Sequence, residues 1–226
     1  MLNDPTIDDI RAAAGRIGPY VHRTPVATCA SIDAIAGASL FFKCENLQKV
    51  GAFKARGATN AVFSLSDEAA ACGVCTHSSG NHAAALARAA GLRGIPAHIV
   101  MPSSALQVKK AAVAGYGALI TECEPTLEAR ETTLAAVQEK TGATFIHPYD
   151  DPRVSAGQGT AALELLEQAP DLDVVMPPVG GGGLASGTTI TVSALQPGIE
   201  FWGAEPAEAD DAFRSLRDGR LYPSVK

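Results

Sequence analysis

The chain has 226 residues, of which 46% are hydrophobic and 19% charged, and carries a net charge of −6. That balance supports a sizeable buried core and excludes a disordered chain. The acidic sign argues against nucleic acid as a partner, and no basic tract or transmembrane-length apolar run points to a membrane.

The acidic start, MLNDPTIDDI, is unlike a secretory leader, and residues 6–18 read as a helix with Thr6 as N-cap and acids in its first turn. LFFKCE (40–45) reads as a strand and residues 56–70 as a helix. A βα rhythm follows: strand VCTHSS (74–79), an alanine-rich helix over 81–90, strand AHIVMP (97–102), helix 105–114, strand ALITEC (118–123), helix 126–140 and strand TFIHPY (144–149). The second half continues with helix 157–168, the apolar strand VVMPPVG (174–180), helix 184–195 and strand EFWGAEP (200–206). Such alternation predicts α/β layers around mostly parallel sheets, with a soft boundary where Pro and Asp cluster in HPYDDP (147–152). Five cysteines (29, 44, 72, 75, 123) without a secretory signal are expected as free thiols in the cytoplasm, and Cys72-x-x-Cys75, lacking a second pair, as buried thiols.

Parallel α/β sheets bind ligands in the loops at the carboxyl ends of their strands. Gly180-Gly181-Gly182-Gly183 joins an apolar strand to a helix, where backbone N–H groups without Cβ atoms in the way converge on an anion. A phosphate is the expected guest. Gly180-x-Gly182-x-x-Ala185, with Glu205 about twenty residues further on, also satisfies the dinucleotide fingerprint, so an NAD(P)-dependent oxidoreductase competes at this point. Ser78-Ser79-Gly80-Asn81-His82 opens another helix after a strand, which fits either plain capping or a polar-ligand cradle. Lys54 sits beside Phe53 in GAFKARGA, which fits either an ordinary lysine at the edge of a helix or one whose pKa is lowered by apolar walls.

FFKCENLQKVGAFKARGATNAVFSL, THSSGNHAAALARAAGLRGIPAHIVMP, SAGQGTAALELLEQ, VVMPPVGGGGLASG and GAEPAEADD resemble, in order, the serine racemase and serine/threonine dehydratase family. These are pyridoxal-phosphate (PLP) enzymes of the tryptophan-synthase-β fold type, fold type II. The resemblance implies two parallel-type α/β domains, a smaller one over 50–148 and a larger one from 1–49 and 149–226. It implies that Lys54 joins PLP covalently, that Phe53 packs beside it, that Asn81 bonds its 3′-oxygen, and that Gly180, Gly181, Gly182, Gly183 and Leu184 hold the phosphate. Ser78, Ser79, Gly80, Asn81 and His82 would cradle the carboxylate of an amino-acid substrate.

The implied reaction is α,β-elimination from a β-hydroxy amino acid such as serine, threonine or hydroxyaspartate, giving a keto acid and ammonia. Lys54 would take the α-proton on one face, and Ser79 would serve the opposite face in racemisation. Glu205, Ala209 and Asp211 match a site for Mg²⁺ or Ca²⁺, whose hard oxygen donors suit those ions. A homodimer is the expected assembly. Two departures stand out: Ala83 where relatives carry glycine, and a chain that stops before the family's serine-glycine-glycine-asparagine segment. The second implies an incomplete larger domain and leaves a weakly active PLP-binding relic as the alternative.

Overall fold

The computed structural model describes residues 4–223. Helix α1 (Ile7–Ile17) starts where Thr6 and Asp9 form a reciprocal capping box, each satisfying the other's backbone N–H. Its Ile10 and Ile17 are fully buried, a stabilisation of roughly 1.5–3 kcal/mol each. Strands β1 (Val26–Ala27) and β2 (Phe42–Lys43) form an antiparallel pair around helix α2 (Ala30–Ala36), which buries none of its residues. Neither β1 nor α2 is expected from the sequence, because both are short and lack an apolar period.

After two short 3₁₀ turns comes α3 (Lys54–Phe63), in which every residue from Ala55 to Val62 is buried. The helix expected over 56–70 is two: Ser66 caps a separate α4 (Asp67–Ala71) by accepting the Ala69 N–H at 3.2 Å. The βα run then appears as β3 (Val74–His77), α5 (Asn81–Arg93), β4 (Ala97–Pro102), α6 (Gln107–Gly115), β5 (Leu119–Cys123), α7 (Leu127–Thr141) and β6 (Thr144–Phe145). These strands make one all-parallel sheet in the order β5-β4-β3-β6. Alternate residues face opposite sides: Val74, Ile99 and Met101 pack with α3, α5 and α6, while Cys75 and Val100 meet Leu134 of α7. Cys72 is exposed, against the expectation of a buried thiol, whereas Cys75 is buried.

The remaining elements are α8 (Pro152–Gln168), β7 (Val174–Val175), α9 (Gly183–Leu195), β8 (Glu200–Phe201) and α10 (Asp211–Asp218), with β7 and β8 parallel. The expected strands 144–149, 174–180 and 200–206 are thus much shorter ladders. Helix α8 starts five residues earlier than its apolar pattern indicates, with Asp151 as N-cap and Pro152 at the first helical position. It crosses α3 at backbone contact: a Cβ on Gly57 would lie 2.7 Å from the Val154 carbonyl oxygen, and one on Gly157 2.6 Å from the Gly57 Cα. That crossing sets the depth of α3, and therefore where Lys54 at its first turn sits.

Candidate active site

Lys54 opens α3 with Phe53 as the preceding cap residue. Its Nζ donates to the Pro148 carbonyl at 2.6 Å and lies 5.2 Å from the centre of the Phe53 ring. Burial lowers its pKa from the usual lysine value to about 8. Near that pH half of the amine is the free base, the form that attacks carbonyls and abstracts protons. The turn before it carries Val50 at φ 55, a left-handed conformation that a β-branched residue adopts only at a cost.

Ser78 to His82 continue from β3 into α5. The Ser78 N–H still donates to the Val100 carbonyl at 3.1 Å, and the Ser78 Oγ accepts the Gly80 N–H at 3.3 Å. Gly80 caps α5 without a side-chain bond, so the first-turn N–H groups of the helix remain available to an anion. Ser78 and Ser79 are half-buried and Asn81 is exposed. The His82 imidazole turns away from this cradle: it is 3% exposed and its Nε2 donates to the Ile146 carbonyl at 3.1 Å. Its side chain therefore takes no part in the cradle expected from the sequence. Ala83 sits in the main apolar core, so its methyl group does not narrow the cradle.

The glycine loop splits into two kinds of position. At Gly180 and Gly182 an added Cβ would meet nothing within 4 Å, and Gly182 has φ 89. At Gly181 an added Cβ would lie 2.2 Å from the Tyr149 ring, and at Gly183 2.9 Å from the Tyr149 carbonyl oxygen. The loop is therefore seated on Tyr149 and open on its other side, ahead of the N-terminus of α9. A helix N-terminus behind an opening free of side chains is the kind of place that can hold a phosphate. With an amine of lowered pKa nearby, this donor set suits PLP.

One segment, residues 146–151, joins these parts. Ile146 receives His82, Pro148 receives Lys54, Tyr149 supports the glycine loop, and the buried Asp151 caps α8 while pairing with Arg153 at 2.6 Å. The sequence marks HPYDDP only as a boundary; the Asp-Pro step that starts α8 was the local signal for a fixed, rather than linking, segment. A second group missed by sequence reasoning lies behind Lys54. Arg56 is fully buried and forks onto Glu45 and Glu164, and Lys43 completes the cluster by donating to Glu164 at 2.6 Å.

Glu205 lies against the first turn of α10, whose first residue is Asp211, and Ala209 precedes that helix by two residues. The Glu205 carboxylate accepts the N–H groups of Ala212 at 3.2 Å and Phe213 at 2.8 Å. Among the described residues, no three His, Cys, Asp or Glu side chains converge as a metal cluster.

Residues 17–226 match the sequence pattern of the pyridoxal-phosphate dependent enzymes. The chain belongs to the pyridoxal-phosphate dependent enzyme family. It is 57% identical to beta-hydroxyaspartate dehydratase of Paracoccus denitrificans (strain Pd 1222) over 217 residues, which cover 96% of this chain and 69% of that protein. The crystal structure of serine racemase from Dictyostelium discoideum superposes with a TM-score of 0.94 at 51% identity, over 96% of this chain and 71% of that one. The crystal structure of a threonine deaminase from T.th. gives 0.91 at 45% identity, over 98% and 73%. The fold is accordingly fold type II of the pyridoxal-phosphate enzymes, and each of these relatives is matched over about two thirds to three quarters of its own length. Membership in this family corrects the dinucleotide reading of Gly180-x-Gly182-x-x-Ala185. Glu205, which that reading needs for a ribose, instead caps α10. Among the described residues, no helix is long and apolar enough to cross a membrane.

Proposed function

We propose that this pyridoxal-phosphate enzyme eliminates water from a β-hydroxy amino acid and releases a keto acid and ammonia. The observation that carries the reading is Lys54: a half-buried amine of lowered pKa, held by the same segment that seats the glycine loop. Bound PLP supplies an electron sink that makes the substrate Cα–H acidic. Gly180 to Gly183 and Leu184 would hold its phosphate, Phe53 would pack beside it, and Asn81 would bond its 3′-oxygen. Lys54 would hold the cofactor, and its free amine would take the Cα proton from one face. The N–H groups from Ser78 to His82, backed by the α5 dipole, orient the substrate carboxylate. The test is keto-acid release across serine, threonine and β-hydroxyaspartate. No release from any of them would overturn the reading.

Racemisation is a second activity of the same site, favoured by the half-buried Ser79 hydroxyl in the ligand loop. Ser79 returns a proton to the face opposite Lys54. Ser79→Ala is expected to lower racemisation by about 10²-fold or more, the range of a positioned proton donor, while elimination from the L-substrate falls only a few-fold. Equal losses in both reactions would make Ser79 a binding residue.

The Glu205 carboxylate, the Asp211 carboxylate and the Ala209 carbonyl together form our candidate site for Mg²⁺ or Ca²⁺. Each Glu205 oxygen accepts one N–H and keeps a second lone pair for a cation. At a hundredfold excess over Kd, a bound ion stabilises by about 2.7 kcal/mol, or about 5–10 °C in a chain of this size. That rise is expected in the parent and absent in Asp211→Ala. A parent midpoint indifferent to both ions removes the site. Five free cysteines accord with a cytoplasmic setting, and the exposed Ile35, Phe41, Phe42 and Leu47 accord with a homodimer, which gel filtration tests.

A further inference from the structure

His82 is the most deeply buried ionisable side chain around the ligand loop, and its Nδ1 has no hydrogen-bond partner. Its Nε2 bonds a carbonyl oxygen, so Nε2 carries the proton and Nδ1 is a bare lone pair. The accepting carbonyl belongs to Ile146, two residues before the Pro148 carbonyl that receives Lys54. The Ile146 N–H donates to the Cys75 carbonyl at 2.9 Å, so β3 holds this residue from one side and α5 from the other.

We propose that His82 is a positioning residue: through the Ile146 carbonyl it fixes segment 146–148, and so places the Pro148 carbonyl that receives the Lys54 ammonium whenever the lysine is free. The proposal rests on Lys54 being the reactive amine, and makes the imidazole of the ligand-loop histidine, as distinct from its backbone N–H, part of the lysine's setting rather than a substrate contact. One side chain then ties the α5 N-terminus, where substrate is held, to the amine that acts on it.

The charged and titratable groups facing His82 are Lys54 from α3, His147 from the joining segment and Asp151 from the start of α8. His147 is fixed in turn, its Nδ1 accepting the Asp150 N–H at 2.8 Å. Burial, the largest influence, pushes the His82 pKa down to about 4, so the ring stays neutral wherever Lys54 titrates. Its effect on the lysine therefore runs through geometry and not through its own charge.

The test is the titration of Lys54 in the full chain without cofactor, read by mass spectrometry as the pH dependence of its acetylation by trace acetic anhydride. His82→Leu fills the imidazole volume without a donor. The lysine stays dry but loses its well-placed acceptor, and its pKa is expected to fall below the parent's by about one unit. His82→Gln places an amide donor near the former Nε2 and is expected to restore the parent value. An unchanged titration in His82→Leu, a rise towards the ordinary lysine value, or an equal fall in His82→Gln overturns the proposal. The unmutated protein gives an independent check that needs no variant to fold. Nitrogen-15 NMR is expected to show His82 protonated on Nε2 and silent between pH 5.5 and 8. A proton on Nδ1, or titration in that range, also overturns it. Because the cofactor is absent throughout, these outcomes are separate from whether borohydride fixes PLP on Lys54.

Discussion

Replacing Lys54 with alanine is expected to remove the covalent attachment of PLP and to lower keto-acid production by about 10⁴-fold or more, the upper range of a positioned proton-transfer group. Among the described residues, no other amine shares its setting. Lys43 is held by Glu164, Gln168 and the Thr24 carbonyl, whereas Lys54 has only a backbone oxygen and the Phe53 ring. Borohydride reduction of the parent followed by peptide mapping should find the cofactor on Lys54. Finding it on Lys43 or Lys49 would refute the assignment.

The same residue predicts a pH dependence of stability in the cofactor-free chain. A lysine with its folded pKa lowered to about 8 binds fewer protons in the folded than in the unfolded state between there and the ordinary lysine value of 10.5. Stability therefore gains from this group as pH rises through that window, while below pH 8 burial of the amine is a constant penalty. Lys54→Met lacks this titration. Urea denaturation of parent and variant should show the difference moving in the parent's favour from pH 8 to 10. A constant difference would mean that the amine is hydrated and not tuned by burial.

How much of this was legible in the sequence depends on the range of the interaction. Thr6 as N-cap and the strands near 74–79 and 97–102 rest on local patterns, and they appear as expected. Lys54 beside Phe53 and the four glycines between a strand and a helix stand out from their sequence neighbours, and the structure places them at the start of α3 and ahead of α9. Segment 146–151 was misread because its partners are remote: Lys54 is 94 residues from Pro148, and His82 is 64 from Ile146. Aromatic and β-branched residues made TFIHPY look like a six-residue strand. Pro148 has no N–H for a ladder, and the observed pairing with β3 ends at Phe145. Helix α10 escaped notice because it is short and leaves Phe213 and Leu216 exposed, so no core face marks it.

The Arg56 cluster is the least local feature, and its loss is expected to have the largest effect on stability. Arg56 is fully buried, with Nε and Nη2 donating to Glu45 at 2.8 Å each, and Nη1 and Nη2 donating to Glu164 at 2.7 and 2.9 Å. Burial alone would lower its pKa, but the two carboxylates outweigh that and raise it. Burial likewise works against the Glu164 carboxylate, and Arg56 and Lys43 still hold its pKa below the usual range. The cluster ties the 43–45 segment to α8 through the third residue of α3, so it anchors the turn that carries Lys54. Arg56→Ala leaves two carboxylates facing each other with Lys43 as their remaining cation, at a cost of about 3–5 kcal/mol. In a chain of this size that lowers the melting point by about 10 °C or more. Arg56→Lys is expected to recover only part, since one ammonium cannot fork both carboxylates. The sign with pH follows from Glu164. Its lowered pKa contributes stability above the ordinary carboxylate pKa, and that contribution is lost as pH falls through the lowered value. In Arg56→Ala the Glu164 carboxylate takes up a proton more readily, so the deficit should be widest near pH 7 and narrow towards pH 4.5. Urea denaturation at both pH values measures it. A loss below about 1 kcal/mol, the worth of an exposed ion pair, would show that this cluster does not hold α3 in place.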